Sequence, residues 1–412
     1  MEIIDQIMKA RDTGATELRL YVNNTHEIPE ELYSLSNLKN LILVSWYTGL
    51  EEVPLIIFKM TNLTSLNLSG SSNSFKSIPD SISQLVNLTN LTLNCDGLKD
   101  ISPNIGKLDK LQNLTISSRY LAKLIPEMGN LDNLQSLDLN CDNIASFPPE
   151  IIRLKKLKSL SIQYQNRVSI PDEVYELENL EELKIKASKL TLIPHEIEKL
   201  KNLKSLYIES QALSSMPDNL GRLPKLMSLS IVAQKLTLFS EVFDQLPKLK
   251  ELDLNLAQLD IISDTTGKFD KLTSLKIKLT EQKSLPAEIF QFNNLENLEI
   301  EGEQIEFIPS EIGKLEKLKT ILIDCKNITK LPPELAFISN LENLQLQCPK
   351  IEYPPEEFLL FRNLKQIKFH YKGKADSKSP FDFQNLRKLM WVSIGCMAGD
   401  TLYFLAKSGS EF

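Results

Sequence analysis

A pattern of the form Leu-x-x-Leu-x-Leu returns along this chain nearly every 23 residues, and that period dictates a solenoid. Taking the first residue of each unit, the repeats begin at Ala15, Leu38, Leu63, Leu88, Leu111, Leu134, Leu157, Leu180, Leu203, Leu226, Leu249, Leu272, Leu295, Leu318, Leu341, Leu364 and Leu389. Of the sixteen steps between these seventeen starts, thirteen are 23 residues and three are 25. A repeat array grows by stacking, so 412 residues read as one repeat domain rather than several cores.

Residues 134 to 156 show how one unit works. Leu137 and Leu139 alternate with Ser136, Asp138 and Asn140, the period-two signature of a strand with one buried face. The alternation carries on to Cys141, then Asp142-Asn143 makes a turn and Ile144 points back inside. Pro148-Pro149-Glu150-Ile151 follows, one of a series that includes PEEL, PDSI, PDEV, PHEI, PAEI, PSEI and PPEL. Proline with an acid close behind is a helix-start signal: proline has no N–H to leave orphaned, and the acid faces the positive end of the dipole. Arg153, Lys199, Arg222 and Lys314 sit one place before the leucine that closes this segment, where the dipole favours cations. Each repeat is thus expected to be strand, turn and short helix. No repeat buries its leucines alone, so the fold expected is an α/β solenoid: a horseshoe of about 17 repeats with a parallel concave sheet and short outer helices.

The ends read as caps. Ile3, Ile4, Ile7, Met8 and Arg11 recur at helical spacing, which makes residues 1–14 a capping helix over the first strand. The repeats then occupy 15–399, and 400–412 form a C-terminal cap and tail in which Leu402, Phe404 and Leu405 shield the last strand.

Composition narrows the function. Apolar residues at 42% and charged residues at 25% fit a folded protein, and a pI near 5.4 with net charge −7 argues against a nucleic-acid surface. No stretch approaches the roughly 18 apolar residues of a membrane span, and the N-terminus lacks a basic region followed by an apolar run and cleavage site. A cytoplasmic protein with no membrane insertion is expected. Five cysteines without clustered spacing do not form a disulfide framework. The Asn-x-Thr triplets at Asn62, Asn87 and Asn113 read as strand segments rather than glycosylation sites. The three histidines, His26, His195 and His370, lie many repeats apart, and His195-Glu196 lacks the second histidine of a zinc protease motif. No catalysis, metal or cofactor is expected.

Across residues 15 to 396 the motif resembles the leucine-rich repeat family. Segments such as IPEELYSLSNL and IPSEIGKLEKL are similar to the intracellular Ras-associated repeat proteins and the repeats of Roco proteins, and ARDTGATELRL resembles the lead-in to bacterial Roco-type repeats. The resemblance implies a cytosolic adaptor that binds other proteins, often signalling ones. No Gly-x-x-x-x-Gly-Lys-Ser/Thr phosphate loop occurs, so the Roco GTPase is not expected, and the tail after the repeats is too short for a kinase domain to be expected. The family places asparagine at the ninth repeat position, whereas here that position reads Asn23, Trp46, Ser71, Asp96, Arg119, Asp142, Gln165, Ser188 and Gln211. The eighth position is instead mostly small, and Cys95, Cys141, Cys325, Cys348 and Cys396 all fall in it, as buried thiols. The repeats starting at Leu226 and Leu249 carry Ser240 and Ser263 where the others carry proline.

Positions three, five and seven should face the concave side. From Ser65 to Gln163, fifteen such positions hold one charge, Asp138, among serine, threonine and asparagine. From Glu182 to Asp324, twenty-one positions hold eleven charges. Their sign alternates by repeat: Lys184 and Lys186, then Glu209, then Glu251 and Asp253, then Lys276 and Lys278, then Glu299 and Glu301. Such bands either neutralise one another across strands or select a partner by charge. Tyr164 and Tyr207 are expected to supply aromatic anchors in this field. A separate basic run lies between Arg362 and Lys388, where eight basic residues face Asp376 and Asp382. The reading is a monomeric, non-catalytic scaffold binding a partner protein on its concave face, with Glu182 to Asp324 as the favoured contact. A sensor of a non-self protein or glycan is the alternative, on the neutral half.

Overall fold

The computed structural model describes residues 2–22, 27–46, 50–144, 146–239, 246–259, 261–262, 269–352, 354–371, 391–396 and 403–406. It divides into two compact units, Met1–Leu190 with Lys199–Leu203, and Thr191–Glu198 with Lys204–Phe412.

Unit one opens with helix α1, Ile3–Asp12, whose start is fixed by the Glu2 backbone N–H donating to the Asp5 carboxylate at 3.2 Å. It buries Ile7 and Ala10 against the first strand and first outer helix. Arg11, expected on that stripe, turns outward to Asp12 at 3.2 Å, because a guanidinium beside water gains nothing from the apolar seam. Eight parallel strands follow: β1 Glu17–Tyr21, β2 Asn40–Ser45, β3 Ser65–Gly70, β4 Asn90–Cys95, β5 Asn113–Ser117, β6 Ser136–Asn140, β7 Ser159–Tyr164 and β8 Glu182–Ala187. Leucine meets leucine across each step, Leu41 beside Leu66 and Leu91 beside Leu114, so both the 25- and 23-residue periods close in the same register.

Unit two repeats the scheme with β9 Ser205–Glu209, β10 Ser228–Ala233, β11 Glu251–Leu256, β12 Ser274–Leu279, β13 Asn297–Gly302, β14 Thr320–Cys325, β15 Asn343–Gln347, β16 Gln366–Tyr371 and β17 Trp391–Cys396. Strand β18, Tyr403–Ala406, then runs antiparallel to β17 with Ala406 opposite Trp391. Ser240, Ser263, Leu402 and most of the basic run, from residue 372 on, lie outside the described residues.

Within a strand the pleat sorts the side chains. Leu66 and Leu68 are buried while Ser65, Asn67 and Ser69 are half-exposed on the open sheet face. Position eight turns inward, as its small residues require: Ser45, Cys95, Cys141, Cys325 and Cys348 are all buried. The Cys95 thiol donates to the Leu68 carbonyl at 3.3 Å. Burial pushes the Cys95, Cys141 and Cys348 thiols up to about 12 and raises Cys325 too, so these are protonated packing groups rather than nucleophiles. The side chain of Cys396 is outside the described set.

The outer helices are 3₁₀ rather than α. Each described one is a five-residue segment, such as Pro149–Arg153 or Ser310–Lys314, because 23 residues minus a strand and two turns leave little more than one helical turn. The proline carbonyl in front accepts the N–H three residues on, Ile151 to Pro148 at 3.0 Å and Ile312 to Pro309 at 3.2 Å. So short a helix carries little dipole, and two of the four cations read as dipole partners find carboxylates on the preceding repeat instead: Lys199 meets Glu176 at 2.6 Å and Arg222 meets Glu198 at 2.9 Å.

The asparagine ladder missing from position nine exists elsewhere. The residue just before each repeat's first leucine is asparagine or lysine from Asn62 to Asn363. Its amide donates to a backbone carbonyl one repeat back: Asn62 to Ser36 at 2.8 Å, Asn87 to Thr61 at 2.9 Å, Asn133 to Asp109 at 2.6 Å, and in unit two Asn340 to Glu316 at 2.8 Å. At three positions where lysine follows an asparagine, Nζ donates to that asparagine: Lys110 to Asn87, Lys156 to Asn133 and Lys317 to Asn294. Asn62 and Asn87 therefore sit in the turns before their strands, not in them, while Asn113 does open β5. Asn133→Ala is expected to cost about 1 kcal/mol, since it frees the Asp109 carbonyl and strips Lys156 of its acceptor. The midpoint of urea unfolding measures this; no shift would mean water replaces the amide fully.

Candidate partner-binding face

The open face of unit two is set by strand register. Lys276 on β12 lies opposite Glu299 on β13, and Lys278 opposite Glu301. Lys276 Nζ reaches Glu299 at 2.6 Å and Glu301 at 3.0 Å, and Lys278 Nζ reaches Glu301 at 2.9 Å. Two of the alternating bands thus close on each other. The hydrogen bond from Lys278, with that from Lys276, holds Glu301 down at about 2 against the opposing effect of burial. The hydrogen bond to Glu299 holds Lys276 above the usual lysine range.

These shifts have a sign in stability. Glu301 titrates lower in the folded chain than in the unfolded one, so its contribution is present above about pH 4.5 and is lost as pH falls toward 2. Glu301→Gln should cost about 1 kcal/mol at pH 7, solvent screening included, and should flatten the loss of stability between pH 5 and 2. Urea midpoints at pH 7 and pH 3 test this; parallel losses in both proteins would refute the assignment.

Elsewhere on this face Tyr207 donates its hydroxyl to Glu209 at 2.8 Å, and burial together with that carboxylate holds the phenol in its protonated form. Ser230 donates to the Asp253 carboxylate at 3.1 Å. Glu251 is exposed, and Asp253 and Asp324 are half-exposed. None of these three carboxylates has an ion-pair partner among the described residues.

The open face of unit one is mostly neutral. The Asn113 amide donates to Asn90 Oδ1 at 2.7 Å, and Ser69 donates to Asn67 at 2.9 Å. Asp138, half-exposed on β6, lies between Thr115 and Ser161. Lys184 is exposed and Lys186 half-exposed on β8, opposite Ser161 and Gln163. Tyr164 is not on this face. It occupies position eight, where the alternation turns inward, and only 2% of it is exposed. One group escaped the sequence reading: Tyr21, Ile42 and Trp46 give the first two repeats an apolar, partly exposed open face, with the Arg19 guanidinium 5.5 Å over the Tyr21 ring. The aromatic residues at positions seven and nine were the available signal.

Among the described residues no three His, Cys, Asp or Glu side chains gather as a metal site, and no helix is long and apolar enough to cross a membrane. His195 is exposed beside Glu196 at 3.1 Å, His370 lies on β16, and His26 is outside the described residues.

Comparison with known proteins agrees with this geometry. A family model described as a leucine-rich repeat region matches residues 101–192. A leucine-rich repeat protein of Leptospira interrogans is 27% identical with a TM-score of 0.68, covering 88% of this chain and 92% of its own. An internalin of Listeria monocytogenes is 17% identical with a TM-score of 0.52, covering 83% and 92%. The Toll–Spatzle complex of Drosophila, 17% identical with a TM-score of 0.65, covers 87% of this chain and 51% of its own. No curated protein sequence matches the chain. The fold is a leucine-rich repeat α/β solenoid.

Proposed function

We propose that this protein is a non-catalytic scaffold that binds a partner protein on the open sheet face, acting as a monomer in the cytoplasm, in signalling. Its repeat domain is taken to span 15–399, with 1–14 and 400–412 as caps. The observation that carries the reading is the inequality among the charges of unit two. Lys276, Lys278, Glu299 and Glu301 are occupied with one another, whereas Glu251, Asp253 and Asp324 make no ion pair among the described residues, although Lys276 lies opposite Asp253 in register. A partner with a basic segment would gain from these carboxylates at little desolvation cost, with Tyr207 and Glu209 two strands from Asp253 on the same face.

The test is capture of partners from lysate by wild type and by the double variant Glu251→Gln, Asp253→Asn, followed by affinity measurement against salt. The variant should bind about tenfold more weakly or worse, with a shallower salt dependence. Reversing Lys276 and Lys278 to glutamate is a poorer test, because it would set four carboxylates together and unsettle the sheet itself. Binding indifferent to both the variant and salt would remove unit two from the reading. It would favour a sensor of a non-self protein or glycan, for which the hydroxyl- and amide-lined open face of unit one, with Asp138, Lys184 and Lys186, is the surface.

A further inference from the structure

The repeat that begins at Leu157 breaks the array's pattern twice within four residues. Position eight, filled in the units on either side by Cys141 and Ala187, holds Tyr164. Position eleven, filled there by Ile144 and Leu190, holds Arg167. Both slots face the interior, so each break puts a polar group where its neighbours put methyl groups or a thiol.

The result is a cavity of about 100 Å³, well above the roughly 10–15 Å³ that one water needs. Its walls are graded from inside to outside. Ile144 and Tyr164 are buried, Arg167, Pro171 and Glu173 half-exposed, and Ser146 and Ser169 exposed at the rim. The Tyr164 hydroxyl is buried and has no hydrogen-bond partner among the described residues. Such a group costs about 1–3 kcal/mol unless something meets it. Arg167 spends only Nε on the protein, donating to the Ile144 carbonyl at 3.0 Å. Its two terminal nitrogens have no partner among the described residues.

A polar side chain at position eleven need not leave room. Gln282 stands in the same slot of a later repeat, where it accepts from the Leu259 N–H at 2.6 Å and donates to the Leu259 carbonyl at 3.1 Å, closing on the backbone completely. Arg167 does not close in this way.

We propose that this cavity binds a small zwitterionic molecule of amino-acid type, its carboxylate met by Arg167 and Tyr164 and its ammonium by Glu173. The lining carries one positive and one negative side chain, which disfavours a simple anion or cation and suits a ligand bearing both charges. Arg167 and Glu173 both act on the Tyr164 phenol, the one lowering and the other raising its pKa, so its hydroxyl end lies within their field. Burial keeps that hydroxyl protonated and hence able to donate. The volume limits the ligand to a few heavy atoms beyond its two charged groups.

Glycine, acetate and ethylammonium are the probes, titrated into the full chain by calorimetry and followed by thermal shift. Glycine should bind in the millimolar range and raise the melting temperature, with acetate and ethylammonium about tenfold weaker or more. Tyr164→Phe and Arg167→Leu should each abolish the response, and Glu173→Gln should reduce glycine to the level of acetate. Arg167→Leu restores the residue type of neighbouring repeats, so it is expected to fold, which circular dichroism checks. Three results would overturn the proposal. The first is neither heat nor thermal shift from glycine with the wild type, meaning that the cavity holds water only. The second is equal binding of acetate and glycine. The third is binding that survives Arg167→Leu unchanged.

Discussion

Leu206→Ala is expected to lower stability by about 2–5 kcal/mol, the largest effect of any single truncation considered for unit two. Leu206 is the fourth residue of its repeat and 1% exposed on β9, in register with Leu229 on β10. Removing three carbons there forfeits their burial and leaves a hole that a stacked array fills poorly, since the strand cannot move inward without breaking its ladder to β10. Neighbouring Ser205, half-exposed on the open face, gives the contrast: Ser205→Ala should stay within about 0.5 kcal/mol. Because each repeat leans chiefly on its neighbours, amide exchange should quicken most in the repeats that flank Leu206. A loss under about 1 kcal/mol in chemical denaturation, or exchange quickened evenly along the chain, would show that the leucine frame is not the seat of stability.

That frame was legible from the period alone. A two-residue alternation inside a 23-residue repeat settles which side chains share a face, and the register of Leu41, Leu66, Leu91 and Leu114 follows from it. What the pattern does not carry is the choice among helices of one turn. Proline and an acid announce a helix start equally for 3₁₀ and α, and only the count of residues left before the next leucine decides between them. The asparagine ladder was missed for a different reason. The expected position held asparagine only once, and the bonding position mixes asparagine with lysine, which looks like surface variation until Lys110 and Lys156 are seen donating to Asn87 and Asn133.

The face residues were legible as positions but not as partners. Sign alternation along the sequence placed Lys276 and Lys278 beside Glu299 and Glu301, yet whether they turn to one another or to solvent depends on side-chain reach across a strand spacing of about 4.8 Å. Tyr164 was misplaced because an aromatic residue near charged positions reads as an anchor. Strict counting of the alternation puts position eight inside, and the array accommodates the ring by opening the cavity beside Arg167. The departure from pattern was visible in the residues; its consequence needed the packing.

Gly129→Ala is the second large effect expected, about 2–3 kcal/mol of destabilisation from a single methyl group. Gly129 lies in the outer helix Pro126–Asn130, and a Cβ built there would fall 2.3 Å from the Glu150 carbonyl oxygen and 2.7 Å from its carbonyl carbon. Those atoms belong to the backbone of the next helix, so no rotamer change relieves the clash and the two repeats must separate. On propensity alone the same substitution should stabilise by about 0.4–1 kcal/mol, through a less flexible unfolded chain, so the sign of the measured change decides which effect governs. Gly313 offers a graded comparison, because a Cβ there would meet the Glu334 Cβ at 2.9 Å and its carbonyl oxygen at 3.1 Å. Gly313→Ala should therefore cost less than Gly129→Ala. Denaturation midpoints of the two variants in parallel would settle it: equal losses, or a gain at Gly129, would mean that the spacing of the outer helices yields easily and that glycine there is not what lets them approach.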